Sequence, residues 1–377
     1  MTTFAFVDLH IHIGRTKTNR PVKITASQHL TLTRILEEAS KRKGLDMVGV
    51  IDAHVPEVQE ELQELIREGK GEELPGGGVR YNKTTLILGT EMELYDENCQ
   101  GPVHVLCYFP TLEEMAYFST WMRRHQKNIA LSSQRSYVQA RHLQQEVKRL
   151  GGLFVPAHIF TPYKSLYGRG VVRSLEEIFN PEQVDAVELG LSSDTHMADQ
   201  LPELHAFTFL TNSDAHSLSK IGREYQQLVV DVPDFVHLDK ALQRGARQRI
   251  AANYGLDPRL GKYHREVVSR LETLKEKQAD LYPSSTGNKK GVPYTHPDRP
   301  PYVHQVPLEF IPGLGPKTLQ QLIHAFGSEM NVLHFASKQE LEKWVKPAIA
   351  RTILNARAGK TCLQAGGAGK YGKVTYS

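Results

Sequence analysis

Cysteine is scarce in this chain: there are 3 in 377 residues, and Cys99, Cys107 and Cys362 neither pair by spacing nor cluster as zinc ligands do. That argues against a disulfide framework and against a cysteine metal site. No stretch approaches the run of about 18 apolar residues that a membrane span needs, and the amino terminus lacks the basic flank and apolar core of a secretory leader. We therefore expect a cytoplasmic protein with no membrane partner. Hydrophobic residues at 40% and charged residues at 23% are an ordinary globular balance, and the length calls for more than one domain.

Histidine, by contrast, is abundant, at 17 residues. The run Val7-Asp8-Leu9-His10-Ile11-His12 reads as a buried strand, in which side chains at i and i+2 share a face, so His10 and His12 converge. Further apolar strands are expected at 45–51, 84–90, 103–109, 153–158, 184–189 and 208–216. Helical periodicity covers 30–43 up to Gly44, 56–68, 112–126 and 135–150. Ligand-type side chains recur in or just past these strands: His54, Glu91, His104, His158, Asp214 and His216. Alternating strands and helices with polar groups at strand ends predict a parallel, barrel-like α/β fold with its site at the carboxyl ends.

Nitrogen and carboxylate donors without thiolate suit Zn2+, Mn2+ or Fe2+, and the set exceeds what one ion needs, so two or three divalent metals per chain, Zn2+ and/or Mn2+/Mg2+, are expected. Clustered ions activate water and stabilise both oxygens of an in-line displacement, which favours phosphoester hydrolysis. Amide or amine hydrolysis stays open, although no bridging lysine stands at a strand end.

The net charge of +4 hides a division. From Phe235 onward there are 22 Lys+Arg against 11 Asp+Glu, leaving 24 against 31 for the earlier part. The basic carboxy-terminal third suits a polyanion, while the acidic first part suits cations. Helices are expected at 238–249 and 263–281, and the Pro-, Gly- and Lys-rich stretch 282–306 reads as a linker.

These motifs, in order His-x-His, Asp52-Ala53-His54, Gly89-Thr90-Glu91-Met92-Glu93, His104, Pro156-Ala157-His158 and Asn212-Ser213-Asp214-Ala215-His216, resemble the polymerase-and-histidinol-phosphatase (PHP) family over residues 4–232. The resemblance implies a distorted seven-stranded (β/α) barrel with a trinuclear metal centre. It implies that His10, His12, Glu91 and Asp214 hold one metal, His54 and His216 a second, and Glu91, His104 and His158 a third, with Asp214, Glu91 and His12 central to catalysis. Two departures stand out. Where many relatives carry another His or acid after the first pair, this chain has Gly14-Arg15-Thr16-Lys17, so the second metal is expected to be held poorly or only with substrate; and Ala53 separates Asp52 from His54.

Ile311-Pro312-Gly313-Leu314-Gly315-Pro316-Lys317-Thr318 resembles the turn of a helix-hairpin-helix motif, whose glycines and helix amides approach a DNA phosphate. Together with the barrel, it resembles the endonuclease Q group of the family, except that the four-cysteine zinc module of that group is missing between 267 and 297. The resemblance implies a catalytic barrel at 1–232, a helical linker region at 233–306, a small all-α helix-hairpin-helix domain at 307–360 and a flexible tail at 361–377. The implied activity is a metal-dependent nick 5′ of deaminated bases (uracil, hypoxanthine, xanthine) or abasic sites. Gly313, Gly315, Lys317 and Thr318 would hold duplex phosphates, with Arg15, Lys17, Lys164 and Arg169 as further phosphate clamps, and a nucleoid-associated cytoplasmic location follows. The rivals are a histidinol-phosphatase-like enzyme acting on small molecules and a DNA-binding scaffold with a structural metal centre. Whether a sliding clamp is a partner, and what the oligomeric state is, the sequence leaves open.

Overall fold

The computed structural model describes residues 2–282, 296–360, 362–365 and 372–375. Strand β1 (Thr3–Ile11) is buried from Ala5 onward, and a loop leads from it to α1 (Leu32–Glu37), which continues as a π-helical stretch to Lys43. The helix stops at Gly44, φ 78°, the expected left-handed cap that a Cβ would oppose. Next come β2 (Met47–Val50), α2 (Pro56–Arg67), β3 (Gly71–Glu73), β4 (Val79–Tyr81), β5 (Thr84–Leu94) and β6 (Val103–Phe109). They are followed by α3 (Leu112–Met122), β7 (Arg135–Ser136), α4 (Ala140–Arg149), β8 (Leu153–Pro156), β9 (Ala186–Glu188), α5 (Thr195–Ala198), β10 (Thr208–Leu210) and β11 (Tyr225–Val230).

The sheet is mixed, not parallel throughout. β2 pairs in parallel with β1 and β5, whereas β6 runs antiparallel to both β5 and β8. A parallel return from β5 would need a crossover of a dozen or more residues, and loop 95–102 is too short for one. The start of β6 therefore lies at the same end of the sheet as the ends of β1, β5 and β8, with His104 directly opposite Glu93. Beyond β8 the backbone carries the sheet round: Ile159 N donates to Glu188 O (2.9 Å), β9 pairs in parallel with β10, and Ala215 N donates to His10 O (3.0 Å). The segment after β10 thus returns to the end of β1. Arg135 and Ser136, expected in a helix, instead pair in parallel with Glu93 and Leu94.

The region 233–306 is not merely a helical linker. After α6 (Phe235–Leu242), β12 (Arg249–Gly255) pairs antiparallel with β11, and after α7 (His264–Gln278), β13 (Tyr302–His304) pairs in parallel with β12. Proline-rich composition hid an anchor: Arg299 is buried, 2.8 Å from Asp199 and 3.5 Å above the ring of Phe209. Residues 283–295 of the expected linker lie outside the described residues. The tail, expected to be flexible, contains an antiparallel pair, β14 (Cys362–Gln364) and β15 (Lys373–Thr375), since its two ends meet in register; residues 361, 366–371, 376 and 377 lie outside the described residues. No helix among the described residues is long and apolar enough to cross a membrane.

Residues 316–357 form α8 (Pro316–Phe326), α9 (Glu329–His334), α10 (Lys338–Leu341) and α11 (Pro347–Arg357). They dock on the sheet through α9. His334 stacks 4.4 Å from Phe6 and meets the Tyr225 hydroxyl at 2.7 Å, while Arg357 donates to the carbonyls of Val332, Leu333 and Ala336 at the end of α9. Lys43, 3% exposed, pairs with Glu329, 5% exposed, at 2.9 Å and also donates to Ser219 O. Removing one member of such a pair leaves a buried charge uncompensated. Lys43→Ala should lower unfolding stability by about 3 kcal/mol or more in a denaturant titration, whereas Lys41→Ala, which breaks the exposed pair with Glu37, should leave it essentially unchanged.

Candidate metal centre

β1 delivers His10 and His12 side by side, their rings 5.4 Å apart, and both are fully buried. The Nε2 atom of each has no hydrogen-bond partner, and these atoms lie 3.4 and 3.6 Å from Asp214 Oδ1. Donors spaced about 3.4 Å apart match the edge of a tetrahedron with bonds of about 2.1 Å. A second set adjoins the first: Glu91 Oε1 is 2.8 Å from His104 Nδ1 and 3.4 Å from His158 Nε2. Glu91 joins the two sets, because Oε1 is also 3.6 Å from His10 Nε2 and Oε2 is 3.6 Å from His12 Nε2. Paired buried imidazoles whose Nε2 atoms lack a hydrogen-bond partner and face carboxylates fit divalent cations bound by nitrogen and oxygen.

Other side chains aim these ligands. Glu188, at the end of β9, accepts from His10 Nδ1 (2.9 Å), Asn212 Nδ2 (2.8 Å) and His158 N (2.8 Å). Asp52 Oδ2 meets His12 Nδ1 at 3.2 Å and accepts from Ile13 N at 2.8 Å. A carboxylate behind each imidazole sets its tautomer and turns Nε2 toward the centre. His158 and Asp214 both sit in the left-handed region, φ 30° and 47°, a conformation that costs about 1–3 kcal/mol for a residue with a Cβ and is common at functional sites.

The pair expected to hold the second metal, His54 and His216, stands outside both clusters of three among the described residues. His54 Nδ1 is held by Thr90 Oγ1 at 2.8 Å while its buried Nε2 has no hydrogen-bond partner, and His216 lies against His12, ring centroids 4.6 Å apart, with Nδ1 3.0 Å from Asp214 O. The cations differ too. Lys164 pairs with Glu93 at 2.8 Å and lines the cavity over the centre, and Arg169 stacks on Tyr163 nearby. Arg15 is turned back onto Asn19 O, and Lys17 is paired with Glu64 of α2. Gly313 and Gly315 lie on the turn into α8, and Lys317 and Thr318 in its first turn, in the carboxy-terminal helical region.

Sequence reasoning missed Glu188, Ser133 and Lys23. Glu188 had a signal, a lone carboxylate closing an apolar strand. Lys23 had none, since it lies in a loop, yet its ammonium is 3.1 Å from Glu91 Oε2 and 2.6 Å from Ser133 Oγ. Electrostatics follow from this crowding. Burial disfavours a charged His10, but Glu188, Asp214 and Glu91 outweigh it and raise its pKa to about 10. Burial and the neighbouring Lys23 push His12 down to about 4. Burial opposes ionisation of Glu91 and Asp214, yet both are lowered, Glu91 chiefly by His104 and Lys23, Asp214 chiefly by His10 and His216.

Two cavities meet over the centre. One, of about 350 Å³, is lined by His12, Lys23, Glu91, His104, Ser133 and Lys164; the other, of about 410 Å³, by Gly190, Ser192, Asn212, Arg223, Lys262 and Tyr263, and His158, Asp214 and His216 border both.

No family model matches the chain. It is 52% identical over 381 residues to the uncharacterized protein YqxK of Bacillus subtilis, covering 98% of each chain. Among solved structures it resembles the lesion-specific endonuclease PfuEndoQ of Pyrococcus furiosus, with TM-score 0.81 and 29% identity over 99% of this chain and 96% of that one. It also resembles endonuclease Q in complex with a 27-mer duplex carrying an abasic lesion at the active site, with TM-score 0.80 and 28% identity over 100% and 97% of the two chains.

The raised pKa of His10 makes a linkage prediction for chelator-treated protein. A folded-state value of about 10 against an ordinary 6.5 gives stability that is complete below pH 6.5 and is lost as pH rises toward 10. The melting temperature of the metal-free protein should fall across that window. Protein reloaded with Mn2+ should show no such fall, because the metal displaces the proton at Nε2.

Proposed function

The chain belongs to the PHP family of metallohydrolases and is most like endonuclease Q within it, and from that footing we propose that it is a metal-dependent DNA-repair endonuclease that hydrolyses the phosphodiester 5′ of a deaminated base or an abasic site. The observation that carries the reading is likeness to a lesion-specific endonuclease over 99% of this chain. Divalent ions, when bound, lower the pKa of a water and neutralise charge that builds on phosphate oxygens. His10, His12 and Asp214 would hold one ion and Glu91, His104 and His158 the other, as their grouping supports.

The chain's own groups do the rest. Glu188 and Asp52 keep the two imidazoles of β1 turned to the centre, and Lys164 at the rim meets a backbone phosphate. The cavity beyond Asp214 suits the extruded lesion nucleotide: Tyr263 offers a ring to stack on, and Ser192 offers a hydrogen bond to a base edge. Its volume, about 410 Å³, falls in the range of small-ligand sites.

We read residues 311–318 as the hairpin of a helix-hairpin-helix that grips the duplex without reading its sequence. Gly313 needs to be glycine for its left-handed φ of 77°. Gly315, at the start of α8, is different: a Cβ there would meet nothing within 4 Å, so the fold itself has no need of glycine. Close approach of a phosphate to the backbone supplies the need.

Duplexes containing uracil, hypoxanthine, xanthine or an abasic site, incubated with the protein and Mn2+, test the reading. Wild type should nick at least one of them and Asp214→Ala none. Gly315→Val should keep its melting temperature while binding every duplex roughly tenfold more weakly, the worth of about one charge-assisted hydrogen bond. Phosphomonoester hydrolysis without nicking would replace the nuclease reading with the phosphatase one, and DNA binding with neither activity would leave a scaffold.

A further inference from the structure

The residues that follow His12, Gly14 to Lys17, do not reach the centre: Arg15 is turned onto Asn19 O and Lys17 onto Glu64. The loop nonetheless returns to it. Val22 N donates to Gly14 O and Lys23 N to Ile13 O, both at 2.9 Å, and Ser27 N donates to His216 O at 2.8 Å. Gly14 permits this fold-back, since a Cβ there would stand 2.0 Å from Ser27 O. Lys23 is thereby fixed with its side chain only 13% exposed.

A lysine buried to that degree needs a partner. Lys23 has two, and both belong to the hub: Glu91 Oε2 at 3.1 Å, and the hydroxyl of Ser133, which itself donates to the same oxygen. The ammonium therefore stands on the His12 side of Glu91, while Oε1 faces His104 and His158. Clusters of three ligand groups are assembled for two ions among the described residues, and the pair expected to hold the second metal, His54 and His216, belongs to neither cluster.

We propose that the Lys23 ammonium supplies the third positive charge of this centre, so that the protein works with two divalent ions and one lysine. Lys23 lines the same cavity as Glu91, His158 and Asp214. It is placed to hold Glu91 in its bridging position and to contact a non-bridging oxygen of the phosphate under attack, a role that rests on the nuclease reading. A permanent monocation in that place adds electrostatic stabilisation without a coordination shell to fill.

The test joins metal analysis to kinetics on the full chain, stripped with chelator and reloaded with Mn2+. Wild type and Lys23→Met should each retain two Mn2+ per chain. Lys23→Met should lose more than about 100-fold in the nicking rate constant with little change in KM for the duplex, and Lys23→Arg should recover part of the loss. Three Mn2+ in the wild type, a Lys23→Met enzyme nicking at the wild-type rate, or a Lys23→Met chain holding fewer than two ions would each overturn the proposal. If the wild type nicks no duplex, the nuclease reading fails, while the metal ratio still decides the lysine's place in the centre.

Discussion

One carboxylate, Glu91, holds the candidate centre together. It is 1% exposed, so ionising it there is costly, and it stays ionised because His104 and Lys23 more than offset burial. Its two oxygens face different ligand sets. Every main feature of the sheet serves to bring partners to those oxygens. β5 carries Glu91, the hairpin to β6 places His104 across from Glu93, β8 ends two residues before His158, and the turn after β10 brings Asp214 to the end of β1.

Precision comes from groups that touch no ion. Glu188 binds His10, Asn212 and the backbone of His158 at once, so three separate segments share one orientation. Asp52 does the same for His12 and Ile13. Left-handed backbone at His158 and Asp214 is tolerated because hydrogen bonds on either side hold it, in the manner of strain kept where it aims a functional side chain. The carboxy-terminal helices are tied to this frame through the Lys43–Glu329 pair and the ring stack of His334 on Phe6, so a duplex held by the turn at Gly315 would be held at a set distance from the metal ligands.

Much of this was legible from residue order alone. His-x-His on an apolar strand, and ligand types at successive strand ends, identify the two assembled sets, because strand periodicity is local and a strand's end is marked by its composition. The direction of β6 was not legible from alternation, although the shortness of loop 95–102 contained it. The place of Asp52 was not legible either: it orients His12, which depends on a register no local pattern encodes. Lys23 and Arg299 were invisible for a common reason. Each is a cation in an irregular, proline-containing stretch, and what buries it, Glu91 or Asp199, lies far away in sequence.

The central claim is that Glu91 is shared by both ligand sets, and metal content tests it directly. In Glu91→Gln, purified, stripped and reloaded beside the wild type, the account predicts that occupancy of both metal positions falls together, leaving well under one ion per chain. A Glu91→Gln protein that loses one ion and keeps the other at wild-type affinity would contradict it.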